Sequence, residues 1–117
     1  MHLHCPGMLS RELADRLAGS DPLAVLDVRE AVERDYCALK LAPGTVNLHV
    51  PMNDVPLRLD EIRAAVVDRI LVVYCHHGIR SRMVADWLTA QGIPNVVNLE
   101  GGIDEWSQVV DPGVPRY

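Results

Sequence analysis

Leu23 to Val28 reads LAVLDV and Ile70 to Tyr74 reads ILVVY, two apolar runs without polar alternation. A strand with one face in water alternates, whereas a run apolar on both sides belongs in a sheet covered on both faces. Elsewhere the spacing changes to three and four. Leu9, Leu13, Ala14 and Leu17 predict a short amphipathic helix, capped by Ser10 and closed by Gly19 in a left-handed position. Helical spacing returns over Glu30 to Tyr36 and over Asp60 to Val67, where Ile62, Ala65 and Val66 share a face. It returns again over Ser81 to Gln91, with Val84, Trp87, Leu88 and Gln91 on one stripe, Arg82, Asp86 and Thr89 off it, and Gly92 as a stop. Ile103 to Val110 predicts a last short helix after Gly101 and Gly102. Thr45 to His49, behind the Pro43–Gly44 turn, and Val96 to Leu99, behind Pro94 and Asn95, predict two further strands. Pro51 and Pro56 bracket a loop, and residues 111–117, DPGVPRY, predict an irregular tail.

Strand and helix thus alternate along almost the whole chain, with connections long enough for right-handed crossovers. The expected class is α/β: a single domain over residues 1–117, with a central, mostly parallel sheet of about five strands and helices on both faces. Ligands of such sheets bind at the carboxyl ends of the strands, and Cys75 lies at one of those ends.

Composition narrows the function. Of 117 residues 49% are apolar and none is Phe, so one aliphatic core of Val, Leu, Ile and Ala is expected. A formal charge of −5, with no basic run, argues against nucleic acid or an anionic membrane as partner. Cys5, Cys37 and Cys75 have no paired spacing, and their odd number points to free thiols in a reducing compartment. The opening MHLHCPGMLS has no charged and apolar leader pattern, and the run from Ile70 to Cys75 is far too short to cross a bilayer. A cytoplasmic protein is expected.

The candidate chemistry sits at CHHGIR, Cys75 to Arg80, between a strand and a helix start. Gly78 permits the tight curl such a loop needs. Successive backbone amides can then form an anion-binding nest, backed by the positive end of the following helix, and Arg80 can add a full charge or brace the loop. All of these favour thiolate over thiol, and the thiolate is the nucleophile. Cys5 and Cys37 have no such glycine loop and are expected to be inert. Trp87 and Trp106 are expected in the core, and Arg82 on the solvated helix face.

At this loop the chain resembles the single-domain rhodaneses, sulfurtransferases whose active loop has six residues beginning with cysteine. LDVRE at Leu26 to Glu30, LAPGTVNLHVP from Leu41 to Pro51 and NLEGGIDEW from Asn98 to Trp106 resemble further elements of that family, in family order over roughly residues 10–110. Leu41 and Ala42 stand where the family often has His-Ile. The resemblance implies that Cys75 takes a sulfur atom from thiosulfate or another persulfide donor and passes it to cyanide or an acceptor thiol. It implies that the backbone of His76, His77, Gly78, Ile79 and Arg80 holds the outer sulfur, and that Asp27 and Arg29, like Ser81 at the helix start, support the site. No cofactor is implied.

Three alternatives bear on the same residues. A sulfur carrier fed by a partner enzyme fits the same cysteine. A phosphatase or arsenate reductase fits less well, because the phosphatase loop has one residue more between Cys and Arg. A metal site is not expected: adjacent histidines on a tight loop tend to diverge, even with His2, His4, Cys5 and His49 elsewhere in the chain. His76 and His77 are expected at the mouth of the pocket.

Overall fold

The computed structural model describes residues 5–117, so the opening segment with His2 and His4 lies outside the described residues. Five parallel strands, β1 (Gly7–Met8), β2 (Leu23–Asp27), β3 (Val46–His49), β4 (Ile70–Tyr74) and β5 (Val96–Leu99), stand in the order β1-β5-β4-β2-β3. All five residues of β2 are buried, and so is β4 from Leu71 onward, which is why neither run alternates. The two residues of β1 were too few to leave a sequence pattern. They join the sheet through their register with Asn98 and Leu99.

Alternate side chains of the central strands feed two cores. Ala24, Leu26, Leu71, Val73 and Cys75 pack on one face with Ile62 of α3 (Leu59–Ala65) and Val84, Ala85 and Leu88 of α4 (Ile79–Ala90). Leu23, Val25, Val72 and Tyr74 pack on the other with Leu13 of α1 (Ser10–Ala18) and Ile103 and Trp106 of α5 (Gly102–Val109). The expected α/β class, with helices on both faces, is observed. The remaining helix, α2 (Ala31–Tyr36), buries no residue and lies beyond the end of β2.

Several local expectations change. Leu9, not Ser10, is the N-cap of α1; Ser10 is the first helical residue, and its buried hydroxyl has no hydrogen-bond partner. Gly19 ends that helix in an extended conformation, φ −96°, rather than a left-handed one. The expected loop between Pro51 and Pro56 holds a short 3-10 turn, Met52–Asp54, and a second one, Pro56–Arg58, starts where the loop ends. Most consequential, α4 begins at Ile79 rather than Ser81, so Arg80 belongs to its first turn.

β2 sits between β3 and β4, and the chain leaves it first toward one edge and then crosses to the other side. The crevice between the carboxyl ends of β2 and β4 is therefore the position where such a sheet accepts ligands. Asp27 and Tyr74 pair across it, and Cys75 follows at once. Among the described residues no helix is long and apolar enough to cross a membrane.

Candidate active site

Cys75 is buried, at 1% exposure, and its sulfur faces into the loop that follows it. The Gly78 amide donates to Sγ at 3.1 Å, the Ser81 amide at 3.4 Å and the Ser81 hydroxyl at 3.3 Å. Gly78 reaches this position with φ +102°, a left-handed conformation that costs a residue with a Cβ about 1 kcal/mol or more. A Cβ there would also crowd the Gly101 nitrogen and the Leu99 carbonyl. The buried Asn98 amide fixes the same glycine by donating to its carbonyl at 3.2 Å.

Two helix N-termini hold the loop from opposite sides. Gly78, the N-cap of α4, and Ser81 in its first turn give their amides to the sulfur, and helix geometry gives the Ile79 and Arg80 amides between them no intrahelical carbonyl partner. The first turn of α5 does the reverse: the Ile103 and Asp104 amides donate to the Cys75 and His76 carbonyls, each at 3.0 Å. Loop carbonyls are thereby occupied elsewhere, so that donors rather than acceptors surround Sγ. Gly102 makes this approach possible. A Cβ on it would lie 2.3 Å from the His76 oxygen and 2.6 Å from that of Cys75.

Arg80 gives its side-chain hydrogen bonds to Glu33 rather than to the sulfur, while its charge still acts on Cys75. Its guanidinium pairs with both Glu33 oxygens at 2.7 and 2.9 Å, so it acts as a brace between α4 and α2. The Arg80 pair, helped by the Tyr117 hydroxyl and against some burial, pulls the Glu33 carboxyl down to about 2. Ile79, also expected at the substrate, points its side chain to solvent and contributes only backbone.

Asp27 and Arg29, expected to support the site, form a fully buried ion pair at the end of β2. Arg29 donates to Asp27 from Nε at 2.9 Å, from Nη2 at 2.8 Å and from its own amide at 3.0 Å. Burial works against the Asp27 charge, but these bonds and the nearby Arg34 hold its carboxyl below the usual range. Tyr74, donating to Asp27 at 3.2 Å, is pushed up to about 12 by burial and the adjacent carboxylate. Arg29 Nη1 continues to the Tyr117 hydroxyl at 3.0 Å, which in turn donates to Glu33 at 2.7 Å. A connected chain of polar contacts thus runs from the end of β2 to the Arg80 brace.

His76 and His77 do not diverge. Their rings stack at 3.9 Å, and the other face of His76 lies against the Tyr117 ring at 4.0 Å and 8°. Both Nε2 atoms turn toward Asp104, at 4.0 and 3.7 Å. Glu33, Asn98, Asp104 and Tyr117 are the site residues that the sequence did not disclose. The spacing of Glu30 and Glu33 carries a capping-box signal, which the structure realises, but nothing local points from Tyr117 to a loop some forty residues earlier.

The other cysteines lack this surround. Burial and Asp86 push the Cys5 thiol up to about 11, despite Arg82 at 3.1 Å from its sulfur. Arg82 is not merely solvated: it ties the Cys5 carbonyl to α4 at 2.6 Å and also pairs with Glu100. Cys37 donates to the Pro115 carbonyl at 3.5 Å.

A cysteine held at a parallel strand end by the amides of the next helix, in a loop of six residues, now has its comparison in known proteins. The Rhodanese-like domain family matches residues 9–109. The chain belongs to that family. Among curated relatives of this rhodanese-like domain, a sulfurtransferase of Allochromatium vinosum is 35% identical over 101 residues, covering 85% of either chain. A tRNA uridine(34) hydroxylase of Xanthomonas axonopodis pv. citri is 40% identical over 83 residues, which are 70% of this chain but only 32% of that relative. The crystal structure of a rhodanese-like domain protein from Staphylococcus aureus superposes with a TM-score of 0.74 at 28% identity, over 96% of this chain and 98% of that one. The family therefore includes a sulfurtransferase of nearly the same length, while the same domain also forms a minor part of larger proteins.

Proposed function

We propose that this domain is a sulfurtransferase that carries a sulfane sulfur on Cys75. The observation that supports it best is the set of donors converging on Sγ from Gly78 and Ser81. With thiosulfate as donor, the Cys75 thiolate attacks the outer sulfur. A new S–S bond forms, the bond to the sulfonate sulfur breaks, and sulfite leaves with its electron pair. Cyanide or an acceptor thiolate then attacks the outer sulfur of the persulfide, and the Cys75 thiolate departs. Charge on the outer sulfur grows where the Ile79 and Arg80 amides have no intrahelical partner, so fixed dipoles stabilise it without reorganisation. With Arg80 paired to Glu33, the direct hydrogen bonds come from the backbone and the Ser81 hydroxyl, and Arg80 contributes its charge from beside them.

The test is an intact mass after incubation with thiosulfate and removal of the excess, beside Cys75→Ala. One added sulfur atom on the parent alone is expected. Cys75→Ser retaining transfer would overturn the reading, and hydrolysis of an aryl phosphate that depends on Cys75 would replace it with phosphatase chemistry.

A second reading, a carrier fed by a partner enzyme, draws support from the domain's place within the longer hydroxylase relatives and from the exposed apolar Ile79 on the loop itself. A carrier would gain no sulfur from thiosulfate but would take it from a protein persulfide.

A further inference from the structure

The histidine pair is not used by the proposed transfer, and its geometry points to a different ligand. Three metal-binding groups, the His76 and His77 imidazoles and the Asp104 carboxylate, place one ligand atom each within 4.8 Å of one another. His76 Nε2 is inaccessible to solvent and has no hydrogen-bond partner, although it faces this cluster. A buried ring nitrogen without a partner is uncommon, since such groups are nearly always satisfied. The His76 ring is stacked between those of His77 and Tyr117, at 3.9 and 4.0 Å, which fixes its plane and keeps Nε2 turned toward the carboxylate.

We propose that His76 Nε2, His77 Nε2 and Asp104 form a binding site for a divalent transition ion, Zn²⁺, on the solvent side of the cysteine loop. Two imidazoles and a carboxylate are a borderline donor set, suited to zinc rather than to calcium or magnesium. Bonds of about 2.0–2.2 Å put neighbouring donors roughly 3.3 Å apart, so the observed 4.0 and 3.7 Å need only a small side-chain rotation to close. Three protein ligands leave a fourth position, open to water or to a soft sulfur anion. The carboxylate already has a cationic occupant: Arg116 donates to Asp104 at 3.0 Å from Nε. Arg116 is 60% exposed and lies on the irregular tail, so an exposed pair is exchanged for a coordinated dication.

The experiment is a titration of the EDTA-stripped, desalted chain with zinc chloride against a chromophoric chelator, with circular dichroism to confirm folding. The parent, Cys75→Ala and the doubly substituted His2→Ala, His4→Ala chain are expected to bind one zinc with equal affinity. His77→Ala and Asp104→Asn are expected to bind about tenfold more weakly or worse. Arg116→Ala is expected to bind several-fold more tightly, because the competing cation is gone. Parent-like affinity in both His77→Ala and Asp104→Asn overturns the site, and so does loss of binding on replacing Cys75 or the His2 and His4 pair. No sulfur donor enters the titration, so its outcome is independent of whether Cys75 transfers sulfur.

Discussion

All three cysteines are buried, at 5%, 9% and 1% exposure for Cys5, Cys37 and Cys75, so burial alone does not pick out a nucleophile. What differs is the direction of the polar groups around each sulfur. Cys37 gives its proton to a carbonyl, and Cys5 is raised by burial beside a carboxylate, whereas Cys75 only accepts. Ser81 is the one side chain among those donors, which makes it the residue to test. Ser81→Ala is expected to remove a single hydrogen bond to a charged sulfur, about 1.5–2 kcal/mol, and so lower kcat/KM for sulfur loading by about tenfold or more with the fold unchanged. Loading at the parental rate would show that the amides suffice. Much of this was legible from the residues: a cysteine after an apolar run, a glycine three residues on and a helix pattern behind it. Arg80 was legible as a charge or a brace but its partner was not, because Glu33 lies on another element and only the folded chain brings the two to 2.7 Å.

At the level of elements, the loop is shaped by two helices that approach it end-on, and Gly102 is where they meet. Gly101 and Gly102 in sequence suggest a turn bringing the last helix near the sheet, but the contact is with the loop itself: the Cβ of any other residue at 102 would collide with the Cys75 and His76 carbonyls. Gly102→Ala is therefore expected to cost about 2–4 kcal/mol from overpacking and a left-handed φ of +61°, and to slow sulfur loading, since the loop must shift. Gly92→Ala provides the comparison. It has a similar φ of +90° but open space where the methyl would go, so about 1 kcal/mol and unchanged loading are expected. Urea denaturation and the thiosulfate mass shift measure both. Equal costs at the two positions would mean that backbone conformation, not the close approach, makes Gly102 necessary.

Across the whole molecule, the polar chain Asp27–Arg29–Tyr117–Glu33–Arg80 links the end of β2, the tail, α2 and α4. Its pH dependence follows from Glu33. With a folded pKa of about 2 against an ordinary 4.5, the unfolded chain binds more protons between those values, so stability rises with pH there. The contribution is fully present above pH 4.5 and is lost as pH falls toward 2. Arg80 is 34% exposed at its side chain, and solvent screening reduces the pair to about 1–2 kcal/mol. Urea midpoints at pH 5 and pH 3 should therefore fall further for the parent than for Glu33→Gln, which should be the less stable of the two at pH 5. Parallel losses in both proteins would remove Glu33 from the acid response. The tail belongs to the same account. Residues 111–117 are irregular as their prolines predict, yet Val114 is buried and Tyr117 closes the polar chain.

The sequence by itself determined the α/β class, four of the five strands, the five helices within a residue or two at most ends, and Cys75 at a strand's carboxyl end. These follow from local periodicity and turn chemistry, which are written in neighbouring residues. Tertiary structure alone decided the sheet order, the two-residue β1, the pairing of Arg80 with Glu33, the stacking of His76 between His77 and Tyr117, and the meeting of Gly102 with the loop. Each of these depends on which distant side chain or carbonyl arrives at a given point. That is fixed by packing across the sheet, and the separation along the chain leaves no local mark of it.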